Sequence, residues 1–227
     1  MLTKFSVRNY KNFKDTIIMD FEKTAGYQFN TDCLSNGMVG KMLIYGRNAT
    51  GKTNLGKALL DIGAAMFGSL RYNDSGILLN ADSKEDIAVF SYEFKFDDNK
   101  LIYRYSRSSN RELREELLEI NGNNVFKLDF CSPENNHFNL GFVGAETAKV
   151  NRYVQALDAK DEGISEASLP FLRWLLSNAA LENDSVLIKL SNYVIRMMMI
   201  TVGNGMQLSF RRADQNFYEL LESPERL

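Results

Sequence analysis

The chain runs to 227 residues, enough for one large domain or one domain with a sizeable insertion. Hydrophobic residues at 44% and charged residues at 25% are ordinary for a globular protein with a real core. A net charge of −2 gives no global case for a nucleic-acid binder and leaves only a local basic groove to consider.

The N-terminus, Met1-Leu2-Thr3-Lys4-Phe5, lacks the apolar core of a signal peptide, which implies a cytoplasmic protein. Residues 2–21 predict two short strands joined by the basic turn Asn9-Tyr10-Lys11-Asn12-Phe13-Lys14. Residues 22–40 are polar and contain glycine, as a loop does. Met42-Leu43-Ile44-Tyr45 is a short unbroken apolar run, the pattern of a parallel strand buried on both faces. From Lys52 to Phe67, Leu55, Ala58, Leu59, Ile62 and Met66 recur at helical spacing. The order here is strand, glycine-rich loop, helix.

After Ile87 the period changes to two. Ala88–Phe96 and Leu101–Tyr105, on either side of Asp97-Asp98-Asn99-Lys100, predict an antiparallel meander. Glu112–Ile120 fits a strand or a short helix equally, and Asn121-Gly122 is a hairpin turn signal. Residues 131–165 are polar and poorly patterned. Residues 168–202 predict two helices, the first opening after Pro170. The second has N-cap candidates in Asn183-Asp184-Ser185 and reaches through Met198, apolar on most sides and so buried. The most apolar stretch, Tyr193–Val202, carries Arg196 and is far shorter than the roughly 20 residues of a membrane span. Cys33 and Cys131 form neither a disulfide framework nor a zinc knuckle.

Gly46-Arg47-Asn48-Ala49-Thr50-Gly51-Lys52-Thr53 matches G-x-x-x-x-G-K-[ST] at every required position. Each residue type has a physical role. Gly46 and Gly51 let the backbone bend so that successive N–H groups face phosphate oxygens. The helix opening near Lys52 offers unpaired N–H groups and its positive end to the same anion. Lys52 supplies a flexible cation for the β- and γ-phosphates, and Thr53 a hydroxyl for magnesium. A chance match in a chain of this length arises on the order of once in a hundred sequences. The flanking apolar run and amphipathic helix lower that further. The ligand implied is a nucleoside triphosphate with magnesium. No apolar run ending in Asp-Glu follows, and Asn99-Lys100 is followed by Leu101-Ile102, so a guanine-reading Asn-Lys-x-Asp is absent and ATP is favoured over GTP. Asp129, after Val125-Phe126-Lys127-Leu128, reads as a strand-end or turn residue.

The opening Phe5-Ser6-Val7-Arg8-Asn9-Tyr10-Lys11-Asn12-Phe13-Lys14, followed by Ile44–Leu55 with its phosphate loop, resembles AAA-type ATPases with an ABC/SMC-like head. RecF, SMC and OLD-type proteins and many anti-phage defence ATPases belong to that group. The resemblance implies an α/β P-loop NTPase fold with an inserted antiparallel β-meander and a helical lobe. The units would be a P-loop subdomain at 1–85, the meander at 86–130, a polar connection at 131–165 and the helical lobe with its tail at 166–227. It implies that Gly46, Arg47, Asn48, Ala49, Thr50, Gly51, Lys52, Thr53 and Asn54 cradle ATP, with Asn48 shaping the loop and Thr53 on magnesium. Arg8, Asn9 and Lys11 would lie near the nucleotide. The family's Walker B and signature motifs are not in this sequence, so the chain looks like the N-terminal portion of a longer head. Hydrolysis would require those motifs, from a head-to-head second copy or a partner chain.

Two readings of other kinds stand beside this one: a P-loop kinase or other phosphotransferase, and a non-enzymatic interaction scaffold with a vestigial loop. His137, the single histidine, reads as solvated, and no catalytic triad can be built on it. Glu112, Glu115, Glu116 and Glu119, with Arg111 and Arg114, read as a solvated charged segment. Met197-Met198-Met199 reads as core filler. Arg104, Arg107, Arg111 and Arg114 read as a scattered surface rather than a basic nucleic-acid face, which would need clustering with exposed aromatics.

Overall fold

The computed structural model describes residues 1–26, 31–67, 77–110, 112–161, 169–200 and 207–209. Strand β1 (Leu2–Arg8) pairs antiparallel with β2 (Ile17–Asp20), placing Phe5 opposite Met19. Their connecting turn is closed by hydrogen bonds from Tyr10 N–H to Phe13 O, 2.9 Å, and from Phe13 N–H to Tyr10 O, 2.8 Å. A small hairpin, β3 (Leu34–Ser35) and β4 (Met38–Val39), follows. Helix α1 (Lys52–Phe67) opens directly after Gly51.

The meander is β5 (Ala88–Phe96), β6 (Asn99–Arg107), β7 (Leu113–Ile120) and β8 (Asn123–Asp129), extended by the short β9 (His137–Phe138). The stretch that fitted either a strand or a helix is therefore β7. Asn121 and Gly122 turn the chain into β8 with φ of 51° and 81°, as a two-residue hairpin requires. The seven-stranded sheet runs β2-β1-β5-β6-β7-β8-β9, antiparallel throughout.

Alternation sets the core. Phe5 and Val7 of β1, Phe90, Tyr92 and Phe94 of β5, Leu101, Tyr103 and Tyr105 of β6, and Leu118 and Ile120 of β7 all point to one buried face. Helices α2 (Val150–Asp161), α3 (Phe171–Asn178) and α4 (Val186–Val194) follow, and α1 packs against α3 and α4. Tyr92 Oη donates to Ala58 O of α1 at 2.7 Å, which fixes α1 over the centre of that face. Phe171 forms a second centre, with ring centroids 4.9 Å from Phe126, 4.9 Å from Phe138 and 4.8 Å from Tyr153. No helix among the described residues is long and apolar enough to cross a membrane.

The architecture is mixed α/β, with helices on an antiparallel sheet. Three expectations change. Met42–Tyr45 is not a buried parallel strand: it joins no sheet, and Leu43 and Tyr45 are 86% and 89% exposed. A strand buried on both faces needs neighbours on both edges, and the described strands offer none. The second helix of the C-terminal region stops at Val194. Met198–Ile200 instead forms β10, paired with β11 (Gln207–Ser209), and the Met199 side chain lies against Gly56 of α1, where a Cβ would come within 3.2 Å of its sulfur. Tertiary packing on a side-chain-free spot outweighs local helical preference there. Finally, the poorly patterned region contains α2.

Candidate functional site

The glycine-rich loop sits at the N-terminal end of α1. Gly51 adopts φ 99°, a conformation that side-chain-bearing residues avoid, and Ala49 adopts φ 64°. Leu55 N–H to Gly51 O, 2.8 Å, is the first helical hydrogen bond, so the N–H groups just ahead of Leu55 have no acceptor within the helix. The Thr50 hydroxyl donates to Arg47 O at 2.9 Å and tightens the bend. Lys52 curls back over the loop. Its Nζ donates to Gly46 O at 2.7 Å and to Arg47 O at 2.6 Å. The ammonium therefore lies inside the curve of the loop, held by neutral carbonyls. Thr53 and residues 41–50 are exposed.

The β1–β2 turn meets this loop. Asn12 Nδ2 reaches Ala49 O at 3.5 Å, and Asn12 Oδ1 accepts from Asn54 Nδ2. A Cβ on Gly51 would fall 2.9 Å from Asn12 Cβ and 3.1 Å from the Phe13 ring. Asn12 and Phe13 thus make the contacts to the loop. Arg8, Asn9 and Lys11, expected near the nucleotide, have other contacts. Asn9 is fully buried and donates through Nδ2 to Glu85 O and Ile87 O, both 2.8 Å. Arg8 pairs with Glu85 at 3.2 Å, and Lys11 Nζ lies 5.7 Å from the Tyr10 ring centroid.

Between the middle of α1 and the sheet lies a buried polar network that the sequence reading missed. Asp61 of α1 pairs with Arg107 of β6 at 3.3 Å and accepts from the Tyr105 hydroxyl at 2.6 Å. Burial alone would lower the Arg107 pKa, but the Asp61 carboxylate beside it raises it, so the guanidinium stays charged. Glu116 of β7, read as solvated, is fully buried. Its carboxylate accepts from Phe171 N–H at 2.6 Å, Leu172 N–H at 3.0 Å and Tyr103 Oη at 2.8 Å. Residue Pro170 has no side-chain donor or acceptor to cap α3, and Glu116 does that work from the sheet. Burial pushes the Glu116 carboxyl up to about 7, against the lowering by these hydrogen bonds.

Among the described residues the arginines form no single basic face. Arg107 is buried, Arg114 contacts Glu112 and Cys131, and Arg104 is left alone on the exposed side of β6; Arg111 lies outside the described residues. Asp129 ends β8, its Oδ1 accepting from Cys131 and Ser132 N–H. His137 is exposed in β9, and the two cysteines are free. Among the described residues no group of three or more His, Cys, Asp or Glu converges on one point.

No family model matches this chain, and no curated protein does.

Proposed function

We propose that this protein binds ATP with magnesium in the loop Gly46–Thr53, as part of an ABC/SMC-like ATPase head. The observation that carries the reading is the pose of Lys52: a cation inside a glycine-hinged loop, at the open end of a 16-residue helix. A phosphate entering that curve exchanges two neutral acceptors of the ammonium for charged ones, and charge-assisted bonds are roughly twice as strong. The free N–H groups at the start of α1 add donors to the same anion. Magnesium supplies charge neutralisation between phosphate oxygens, with Thr53 as the protein ligand.

The function is binding, with the nucleotide state governing association with a second head or a partner chain. Hydrolysis belongs to an assembly that adds an acidic residue to orient water, since no apolar run ending in Asp-Glu is present.

A thermal-shift titration with ATP, ADP and GTP plus magnesium, on wild type and Lys52→Ala, tests this. Free ligand at a hundred times Kd adds about 2.7 kcal/mol, a rise of roughly 5–10 °C for this size. An ATP-selective rise that Lys52→Ala removes supports the site. No rise with any nucleotide favours the interaction scaffold with a vestigial loop.

A further inference from the structure

The glycine-rich loop does not take its shape from the run that precedes it, because Met42–Tyr45 lies outside every sheet. Its firmest neighbour is the turn between β1 and β2. That turn is itself gripped from behind. Lys11 N–H donates to Leu78 O at 2.9 Å, Asn80 Nδ2 donates to Lys11 O at 2.5 Å, and Asn9 is tied to Glu85, Ile87 and Asn80 N–H. Asn9 and Lys11 hold φ of 52° and 47°, which non-glycine residues keep only where their surroundings overdetermine the backbone. A braced tip results, with Asn12 exposed on it.

We infer that Asn12 is a positioning residue for the phosphate loop, resting on the reading of Gly46–Thr53 as a nucleotide site. One amide spans the loop's two shoulders. Its Nδ2 faces Ala49 O before the motif lysine, and its Oδ1 takes the Asn54 amide after Thr53. The residues between these anchors are Thr50, Gly51, Lys52 and Thr53, which carry the bend, the cation and the hydroxyl. Gly51 sits so close to Asn12 and Phe13 that a methyl group has no room, so loop and turn move together. Asn12 is exposed, and exposed side chains contribute little to global stability. Its loss frees the loop rather than unfolding the domain, so the deficit falls on ligand binding.

The test compares wild type, Asn12→Ala and Lys52→Ala with three probes in magnesium: ATP, GTP and tripolyphosphate. Calorimetry gives the affinities, and amide hydrogen exchange of residues 47–53 is followed without ligand. The expected result for Asn12→Ala is an affinity loss of about ten-fold or more for ATP and tripolyphosphate by the same factor. Exchange in 47–53 speeds up, and the ligand-free melting temperature is unchanged. A loss for ATP but not tripolyphosphate overturns the inference, because it makes Asn12 a base contact. Wild-type affinity in Asn12→Ala, with binding abolished in Lys52→Ala, overturns it while leaving the site intact. Unchanged binding in Lys52→Ala, or no binding of any probe to wild type, removes the site and this inference with it.

Discussion

Asp61, in the middle of α1, and Arg107, at the end of β6, form an ion pair at 3.3 Å with side chains only 3% and 6% exposed. The pair, with the Tyr105 hydroxyl, ties the helix that begins at Lys52 to the centre of the sheet. Removing one partner strands a buried charge. Arg107→Ala should lose about 3–5 kcal/mol in urea denaturation, and Arg107→Ala with Asp61→Ala should lose less than the sum of the two single changes. Additive losses would mean the two residues act independently.

Glu116 makes stability depend on pH in an unusual direction. Its folded pKa of about 7 lies above the ordinary 4.5. Between those values the folded protein binds a proton that the unfolded chain has released. This group's contribution therefore falls as pH rises from 4.5 to 7, by at most about 1.4 kcal/mol per pH unit. The difference between wild type and Glu116→Gln, taken from urea midpoints across that range, isolates the effect from other carboxylates. Parallel profiles for the two proteins would show that Glu116 keeps an ordinary titration.

Gly51→Ala tests the contact between loop and turn. Gly51 and Gly26 both have positive φ, 99° and 67°, but only Gly51 has neighbours where a Cβ would go. Gly26→Ala bears backbone strain alone. Gly51→Ala should cost about 1–3 kcal/mol and weaken ATP binding, whereas Gly26→Ala leaves binding intact. Equal ATP affinity in both variants would dismiss the contact.

Asn9→Ala removes three hydrogen bonds at a fully buried position and leaves alanine at φ 52°. The expected loss is about 2–4 kcal/mol by chemical denaturation. A loss under about 0.5 kcal/mol would place the strength of the turn elsewhere.

Local signals carried α1, the meander, the Asn121-Gly122 turn and the Ser185 cap, whose hydroxyl accepts from Leu187 N–H. Each depends on residues near in sequence. The glycine-rich loop is legible as a motif, and its position at the start of α1 follows from helical periodicity. The buried charges were hidden by their chemistry but not by their phase. Glu116 is in step with Leu118 and Ile120, and Arg107 with Tyr103 and Tyr105, so strand parity points both inward. Asp61 likewise falls between Ala58 and Ala65 on the buried stripe of α1. Composition argued for solvent and periodicity for the core, and periodicity was the better guide. The end of α4 and the state of Met42–Tyr45 had no local signal, because each is decided by what lies alongside in space.

Met42–Tyr45 also governs how this protein behaves in bulk solution. Four consecutive apolar side chains are 45–89% exposed, and their backbone groups bond to no described residue. Such a run is a template for any extended chain that drifts past, including the same run on another molecule. Turbidity and light scattering should therefore climb with protein concentration, and a single charge such as Leu43→Lys should restrain them more than the same change at Ile77, which is 77% exposed but stands without apolar neighbours in sequence on its N-terminal side. Colloidal lifetime is written into those four residues.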